Sequence, residues 1–295
     1  MRNNVLSGLV FFAAAGVAVL PFISGCSHVR GLPEGAEELA GIPITDHPSG
    51  LRFPGMVIWH DLLTPDLAKA AGFYENLFGW QIEYLEHAAV VRHHGERIAG
   101  IVEVQPTGRG ARGIWIPSVS VGDVDAAVDL VEASGGRQLK GPVEMEGRGR
   151  AALIRDFQGA DMVVLTARGG DPVKSEAAVG AWLWDEVWTA DPDKTGAFYQ
   201  NVLGYDDILP VNEGYGIFLH EGAWMAGIRH LQRDRYDPLW VPVVRVVDPA
   251  ATANRVEALG GEVLISPEAA PGDGNVSLIA DPTGTMLLIQ RWPSP

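Results

Sequence analysis

The sequence predicts an α+β fold of four βαβββ units, two in each of two tandem modules. Two observations carry this. Residues 59–79 read W-H-D-L-L-T-P-D-L-A-K-A-A-G-F-Y-E-N-L-F-G and residues 184–204 read W-D-E-V-W-T-A-D-P-D-K-T-G-A-F-Y-Q-N-V-L-G, so Trp59, Thr64, Asp66, Phe73, Tyr74, Asn76 and Gly79 each recur 125 residues later. The same offset carries Trp115 and Pro117 to Trp240 and Pro242, V-E-A-S-G-G at 131–136 to V-E-A-L-G-G at 256–261, and Asp156 and Gly159 to Asp281 and Gly284. A fixed period of that length is one structural plan used twice. Within each module a weaker repeat alternates a strand, a capped helix and further short strands.

The elements follow in order. V-I-W-H-D-L-L reads as a strand, and Asp66 as the N-cap of a helix whose Leu67, Ala70, Ala71, Tyr74 and Leu77 recur at three- and four-residue steps before Gly79 ends it. Q-I-E-Y-L-E, A-V-V-R-H-H and R-I-A-G-I-V-E-V supply three more strands. The second unit spans 114–168, with I-W-I-P-S-V-S-V, a helix from Asp123 through Ala133, a G-G turn and strands around R-A-A-L-I-R-D and D-M-V-V-L-T. Residues 181–230 and 239–292 repeat the pair. The boundaries are a first module at 51–168, a linker at 169–179 and a second module at 180–293.

Residues 1–25 differ from the rest: one Arg, then an uncharged apolar run and small residues, the pattern of a secretory signal. Ile23-Ser24-Gly25-Cys26 resembles a bacterial lipobox, which implies lipidation of Cys26, the only cysteine in the chain. The alternative is an uncleaved anchor. Residues 26–50, with prolines and glycines and no sustained period, read as a tether. The expected location is the cell envelope, lipid-anchored, at the outer membrane or facing the periplasm in a Gram-negative cell. A net charge of −15 without Lys/Arg clusters argues against nucleic acid as a partner.

The F-Y-x-N-x-(F/L)-G signature, the G-G turns and the D-F-Q-G-A and D-P-T-G-T turns together resemble the vicinal oxygen chelate superfamily of glyoxalases, bleomycin-resistance proteins and extradiol dioxygenases. The resemblance covers about residues 52–292 and is closest to a tandem glyoxalase-like subgroup. It implies one cup-shaped sheet per module. In metal-dependent members His, Gln or Glu on the first and last strands of each unit hold one divalent ion. Counting fourteen residues back from the Phe of F-Y reaches Trp59 and Trp184; counting four past the turn glycine reaches Val163 and Leu288; the even units begin near Ile116 and Val241. None of these side chains binds a metal, so no metal or other cofactor is expected.

A carboxylate does follow each first-strand Trp: Asp61 and Glu186. Side chains alternate along a strand, so Trp59, Asp61 and Leu63 are expected on one face, as are Trp182, Trp184, Glu186 and Trp188. Trp59, Asp61, Trp115, Trp184, Glu186, Trp188 and Trp240 are the candidates for contact with a small-molecule ligand, because desolvated carboxylates hydrogen-bond polar groups and indoles offer flat apolar walls. For each the alternative is structural: a carboxylate bonded to backbone or to an Arg of the facing unit, a Trp filling core. His60, His93 and Glu103 are the alternative metal donors, although adjacent His93 and His94 suit an exposed hairpin. The arginines of the G-R-G-A-R-G and G-R-G-R loops could close over an anionic ligand, although solvent-exposed loop charge is the default reading. No nucleophile motif or phosphate loop is present.

The functional expectation is a lipid-anchored tandem protein that binds a small molecule without catalytic metal. Two alternatives remain: a metal-dependent lyase or dioxygenase with a relocated site, and an envelope interaction protein with no catalytic role.

Overall fold

The computed structural model describes residues 34–105, 112–173, 176–231, 236–270 and 274–292. The signal segment, Cys26 and the start of the expected tether lie outside the described residues, as does most of the G-R-G-A-R-G loop. The first module opens with a short helix α1 (Glu34–Ala40) and continues as β1 (Val57–Thr64), α2 (Leu67–Phe78), β2 (Gln81–Tyr84), β3 (Ala88–His93) and β4 (Glu96–Glu103). Its second unit is β5 (Ile114–Ser120), α3 (Val124–Ala133), β6 (Arg137–Met145), β7 (Gly149–Arg155) and β8 (Asp161–Ala167).

The second module repeats the order: β9 (Trp182–Thr189), α4 (Pro192–Leu203), β10 (Asp207–Asn212), β11 (Tyr215–His220), β12 (Ala223–His230), then β13 (Leu239–Val246), α5 (Pro249–Val256), β14 (Glu262–Ile265), β15 (Val276–Ala280) and β16 (Met286–Arg291). The fold is therefore α+β, with four βαβββ units. Each module forms one eight-stranded mixed sheet, β2-β3-β4-β1-β5-β8-β7-β6 and β10-β11-β12-β9-β13-β16-β15-β14. First and last strands of each unit lie in the middle, and residues 125 positions apart on β1, β5 and β8 take equivalent places in the two sheets.

The caps explain the helix boundaries. Asp66 accepts from Lys69 N, and Gly79, at φ 75°, returns its N–H to Glu75 O at the end of α2; α4 is closed the same way by Asp191 and Gly204. Left-handed backbone at that position is free of Cβ strain only for glycine. Strand β6 is absent from the sequence reading, which found two strands after α3 where the structure has three. It lies at the sheet edge and contains Gly141-Pro142, residues depleted from strand interiors and tolerated at edges.

Both sheets turn their helix-bearing faces toward each other. One apolar core joins Val124, Val128 and Val131 of α3 to Phe198, Tyr199 and Val202 of α4; another joins Phe73, Tyr74 and Leu77 of α2 to Ala253 and Val256 of α5. Linker residues also pack. Asp171 is fully buried and its Oδ2 accepts from Ser120 Oγ and Phe53 N, each at 2.6 Å.

Residues 34–50, expected as part of a tether, are not a free spacer. They run across the open face of the first sheet, with Leu39 against Ala88, Val90 and Val102, and Ile44 against Trp59, Ala151 and Leu165. Leu39, Ala40 and Ile44 are buried. The apolar residues of this Pro/Gly-rich stretch lack a period because they fit an existing concavity rather than forming an element of their own.

Candidate functional site

The open face of the first sheet carries Trp59 and Asp61, as alternation predicts. Trp59 Nε1 donates to Asp61 Oδ1 at 3.0 Å, and Arg148 grips both carboxylate oxygens, Nη1 to Oδ2 at 2.7 Å and Nη2 to Oδ1 at 3.1 Å. The remaining Nε of Arg148 donates to Leu39 O at 3.0 Å, and its guanidinium lies 5.1 Å from the Trp59 ring centre. Asp61 is thus the structural carboxylate of the alternative reading, bound to an arginine of the facing unit.

Arg148 is the residue that the sequence reading missed. It belongs to the G-R-G-R loop, where its charge reads as solvent-exposed, yet it is buried. The flanking glycines are the signal. A Cβ at Gly147 would lie 2.4 Å from Gly41 backbone, and one at Gly149 would lie 2.3 Å from Thr166 O, so only glycines let this turn press Arg148 into the cup.

In the second module Glu186 occupies the place of Asp61, and its arginine comes from the adjacent strand. Arg229 Nε donates to Glu186 Oε2 at 2.7 Å and Nη2 to Oε1 at 2.9 Å, leaving Nη1 outside the pair. Trp188 Nε1 also donates to Glu186 Oε2, at 2.9 Å. Tyr215 lies under the guanidinium at 4.5 Å and accepts from Trp184 Nε1 at 3.1 Å. Burial, reinforced by the Glu186 charge, pushes the Tyr215 hydroxyl far above its ordinary range, so it stays protonated. Burial pulls Arg229 down, but hydrogen bonds and charge from Glu186 more than offset it.

This second cup is closed by its own side chains. Trp188, Val241, Val243, Leu278 and Leu288 form one buried cluster under Trp184, Tyr236 and Leu264. At its edge Trp224 and Trp292 are 46% and 40% exposed, with ring centres of Trp184, Trp224 and Trp292 successively 6.4 Å apart. A cavity of about 470 Å³ lies beside the cup, between Gln158, Lys194 and Tyr236.

The remaining candidates are on the other face. Trp115 Nε1 donates to Tyr74 Oη at 3.1 Å, and Tyr74 donates to Asp281 Oδ2 at 3.0 Å; Trp240, Tyr199 and Asp156 repeat the chain at 3.0 and 3.1 Å. Both chains run from one module into the other. Trp115 and Trp240 are therefore core and interface residues rather than ligand walls. Trp182 departs from strict alternation because β9 carries a bulge: Val243 pairs with Trp184 while Val244 pairs with Trp182, leaving Leu183 extra. The bulge turns Trp182 toward the first module, where it lies 4.3 Å from the His60 ring and donates to Ile98 O at 3.0 Å.

His60, His93 and Glu103 do not converge. His60 Nε2 is bonded to Asp185 Oδ1 at 2.8 Å, both residues buried between the sheets. His93 pairs with Glu96 across the β3–β4 hairpin and contacts Val179 O at 2.9 Å, while Glu103 accepts from Leu67 N at the start of α2. Glu96 and Glu103 are seven residues apart on β4, roughly 23 Å at a strand rise of about 3.3 Å per residue. An expected metal set of these three is overturned by that geometry.

His60 and Asp185 are equivalent positions of the repeat and meet face to face. Burial raises the Asp185 carboxyl above its ordinary value, with His60 pulling it partly back. A raised folded value stabilises the fold fully below the unfolded value and loses that contribution as pH rises through the folded one. Asp185→Asn, which keeps an acceptor for His60, is thus expected to gain stability relative to wild type above about pH 4. Urea titrations across that range check it; a wild-type-to-variant difference independent of pH would contradict the burial argument.

The donor set can be read from register. Trp59, Ser118 and Val163 lie in one row across the first sheet, and Asp61, Gly100 and Ile116 in the next. In the second sheet the rows are Trp184, Val243 and Leu288, then Glu186, Gly227 and Val241. Among the described residues each cup thus offers one carboxylate at these positions, already neutralised by arginine, where a divalent ion needs three or four O or N donors. The residues present do not fit the metal that the fold family implies. A separate, partly exposed cluster, Glu38, Glu86 and His87, lies where α1 meets the β2–β3 turn.

The fold is one of two tandem modules of paired βαβββ units, and comparison with known proteins finds similarity to proteins of that architecture. Residues 57–164 match the model of the Glyoxalase/Bleomycin resistance protein/Dioxygenase superfamily. "Putative glyoxylase CFP32" of Mycobacterium bovis is 28% identical over 247 residues, covering 80% of this chain and 94% of that protein. "Anthracycline biosynthesis protein DauV" of a Streptomyces species is 29% identical over 255 residues, covering 78% and 91%. The Mn(II)-bound glyoxalase from Novosphingobium aromaticivorans superposes with a TM-score of 0.57 at 15% identity, covering 82% of this chain and 83% of that one. A variant of homoprotocatechuate 2,3-dioxygenase from Brevibacterium fuscum gives 0.56 at 14% identity, covering 84% and 74%. At these identities the structures speak for the fold.

Proposed function

We propose that this protein binds a small planar molecule at the second module without a catalytic metal, and is held in the cell envelope by a lipid on Cys26. The observation that carries the reading is that, among the described residues, the one central carboxylate of each cup is paired with an arginine, which removes the charge a divalent ion would need. What the second module offers is a recognition surface. Trp184, Trp224 and Trp292 present partly exposed indole faces, and Arg229 Nη1 is outside the Glu186 pair beside them. Indoles stack on flat rings, and a guanidinium nitrogen suits an acceptor or anionic substituent. The Streptomyces relative is named for anthracycline biosynthesis, and anthracyclines are flat polycyclic aromatics, which supports the reading.

The test is a tryptophan-fluorescence titration of the chain from Ser27 onward with anthraquinone-2-carboxylate and an anthracycline. Saturable quenching at one ligand per chain is expected, weakened about tenfold or more by Trp224→Ala, as for loss of a stacking contact plus burial. The corresponding first-module variant Trp59→Phe is expected to bind normally. Unchanged binding in Trp224→Ala would remove the site from the second cup. Elemental mass spectrometry on the same preparation is expected to find metal well below one ion per chain. Stoichiometric Fe, Mn, Ni or Zn surviving dialysis would favour the other reading, an enzyme of the glyoxalase type suggested by the mycobacterial relative's name.

A further inference from the structure

We infer that residues 34–48 are a detachable plug, and that the first module's cup beneath them is a binding site for a peptide or N-acyl amide with a branched aliphatic group next to its carbonyl. The inference does not depend on the ligand proposed for the second module. The plug is an addition to the repeat. Shifting it by the period of 125 places it on 159–173, which is already strand β8 and its flanks, so the second module has no counterpart. A complete eight-stranded sheet forms there without one.

The two cups have adapted to this difference at matched positions. Register aligns Ala88 with Tyr215, Val102 with Arg229, and Gly100 with Gly227, because Asp61 pairs with Gly100 and Glu186 with Gly227. Large side chains fill the second cup, whereas small ones in the first leave room for the plug. A Cβ on Gly100 would lie 2.5 Å from both Leu39 Cδ1 and Asp61 Oδ1. The first cup is therefore built around an occupant that its own strands do not provide.

The contacts of that occupant describe a ligand. Leu39 puts its side chain between Gly100, Val90 and Val102, and its carbonyl accepts from Arg148 Nε at 3.0 Å; Ala40 O accepts from Gly147 N at 2.9 Å. Only the Pro48–Pro172 bridge, at the end of the segment, is of strand type. Helix α1 has seven residues, too few to hold its shape alone in water, so its order derives from the cup. Such a segment opens locally without unfolding the sheets.

Hydrogen exchange on the intact protein tests this first. The amides of Gly41, Ile42 and Gly147 are expected to exchange at least about 100-fold faster than those of β1 and β5, through an opening that exposes the plug alone. Exchange only with global unfolding would overturn the inference. Gly35→Val supplies the second test, because a Cβ there lies 2.2 Å from His87 O and drives α1 out while leaving the cup unaltered. That variant is expected to bind a fluorescein-labelled peptide of residues 34–48 at one per chain, at least about 100-fold more tightly than wild type, and a Leu39→Ser peptide about tenfold more weakly. A folded Gly35→Val chain that binds no peptide would overturn it. If that variant does not fold, the exchange measurement on wild type decides.

Discussion

Replacing Arg148 with alanine is expected to lower the unfolding free energy by about 3–5 kcal/mol, the range for breaking a buried ion pair by removing one partner. The loss has three sources. Asp61 is left in the cup with one indole N–H donating to it, Leu39 O loses its donor, and the Arg148 guanidinium no longer lies over Trp59. The double variant Asp61→Leu/Arg148→Met is expected to recover most of it, since two apolar side chains remove the stranded charge together. Equilibrium urea denaturation followed by tryptophan fluorescence measures both. A loss below about 1 kcal/mol for Arg148→Ala would return it to the exposed loop charge that its sequence context suggests.

Asp156→Ala and Asp281→Ala are each expected to cost about 3 kcal/mol or more, since each removes the acceptor of a buried tyrosine hydroxyl, of a buried backbone N–H and of further half-buried turn donors. Asp156 Oδ1 accepts from the N–H groups of Gln158, Gly159 and Ala160 at 2.8, 2.7 and 2.9 Å, and its Oδ2 from Tyr199 Oη. Asp281 does the same for Thr283 N, Thr285 N and Tyr74 Oη. Each aspartate folds its own turn with one oxygen and docks the other module's tyrosine with the second. Tyr74→Phe and Tyr199→Phe, which spare the turns, are expected to cost about 1–3 kcal/mol. Differential scanning calorimetry separates the roles: a Tyr→Phe variant that unfolds as stably as wild type would show that the hydroxyls do not hold the modules together.

Much of the site was legible because strand alternation is local. The spacing Trp59-x-Asp61 and Trp184-x-Glu186 puts both carboxylates on the open faces, and the apolar identities of Val163 and Leu288 argue against metal ligands from the sequence alone. Alternation failed at Trp182, where one extra residue in β9 reverses the face, and a bulge has no signature in the side chains that it displaces. Arg148 was illegible for a different reason. Its burial depends on Asp61, 87 residues away, and on a backbone carbonyl 109 residues away.

The repeated motifs also changed meaning. F-Y-x-N and the D-x-x-G turns marked the fold in the sequence, and their tyrosines and aspartates are the ones that bond across the modules. By itself the sequence determined the four units, their caps and the doubling, because hydrophobic period, Asp N-caps and left-handed glycines act over a few residues. Tertiary structure decided that the sheets meet through their helices, that His60 faces Asp185, and that residues 34–48 close one cup. Those outcomes depend on which distant surfaces exclude water from each other, and local spacing does not encode that.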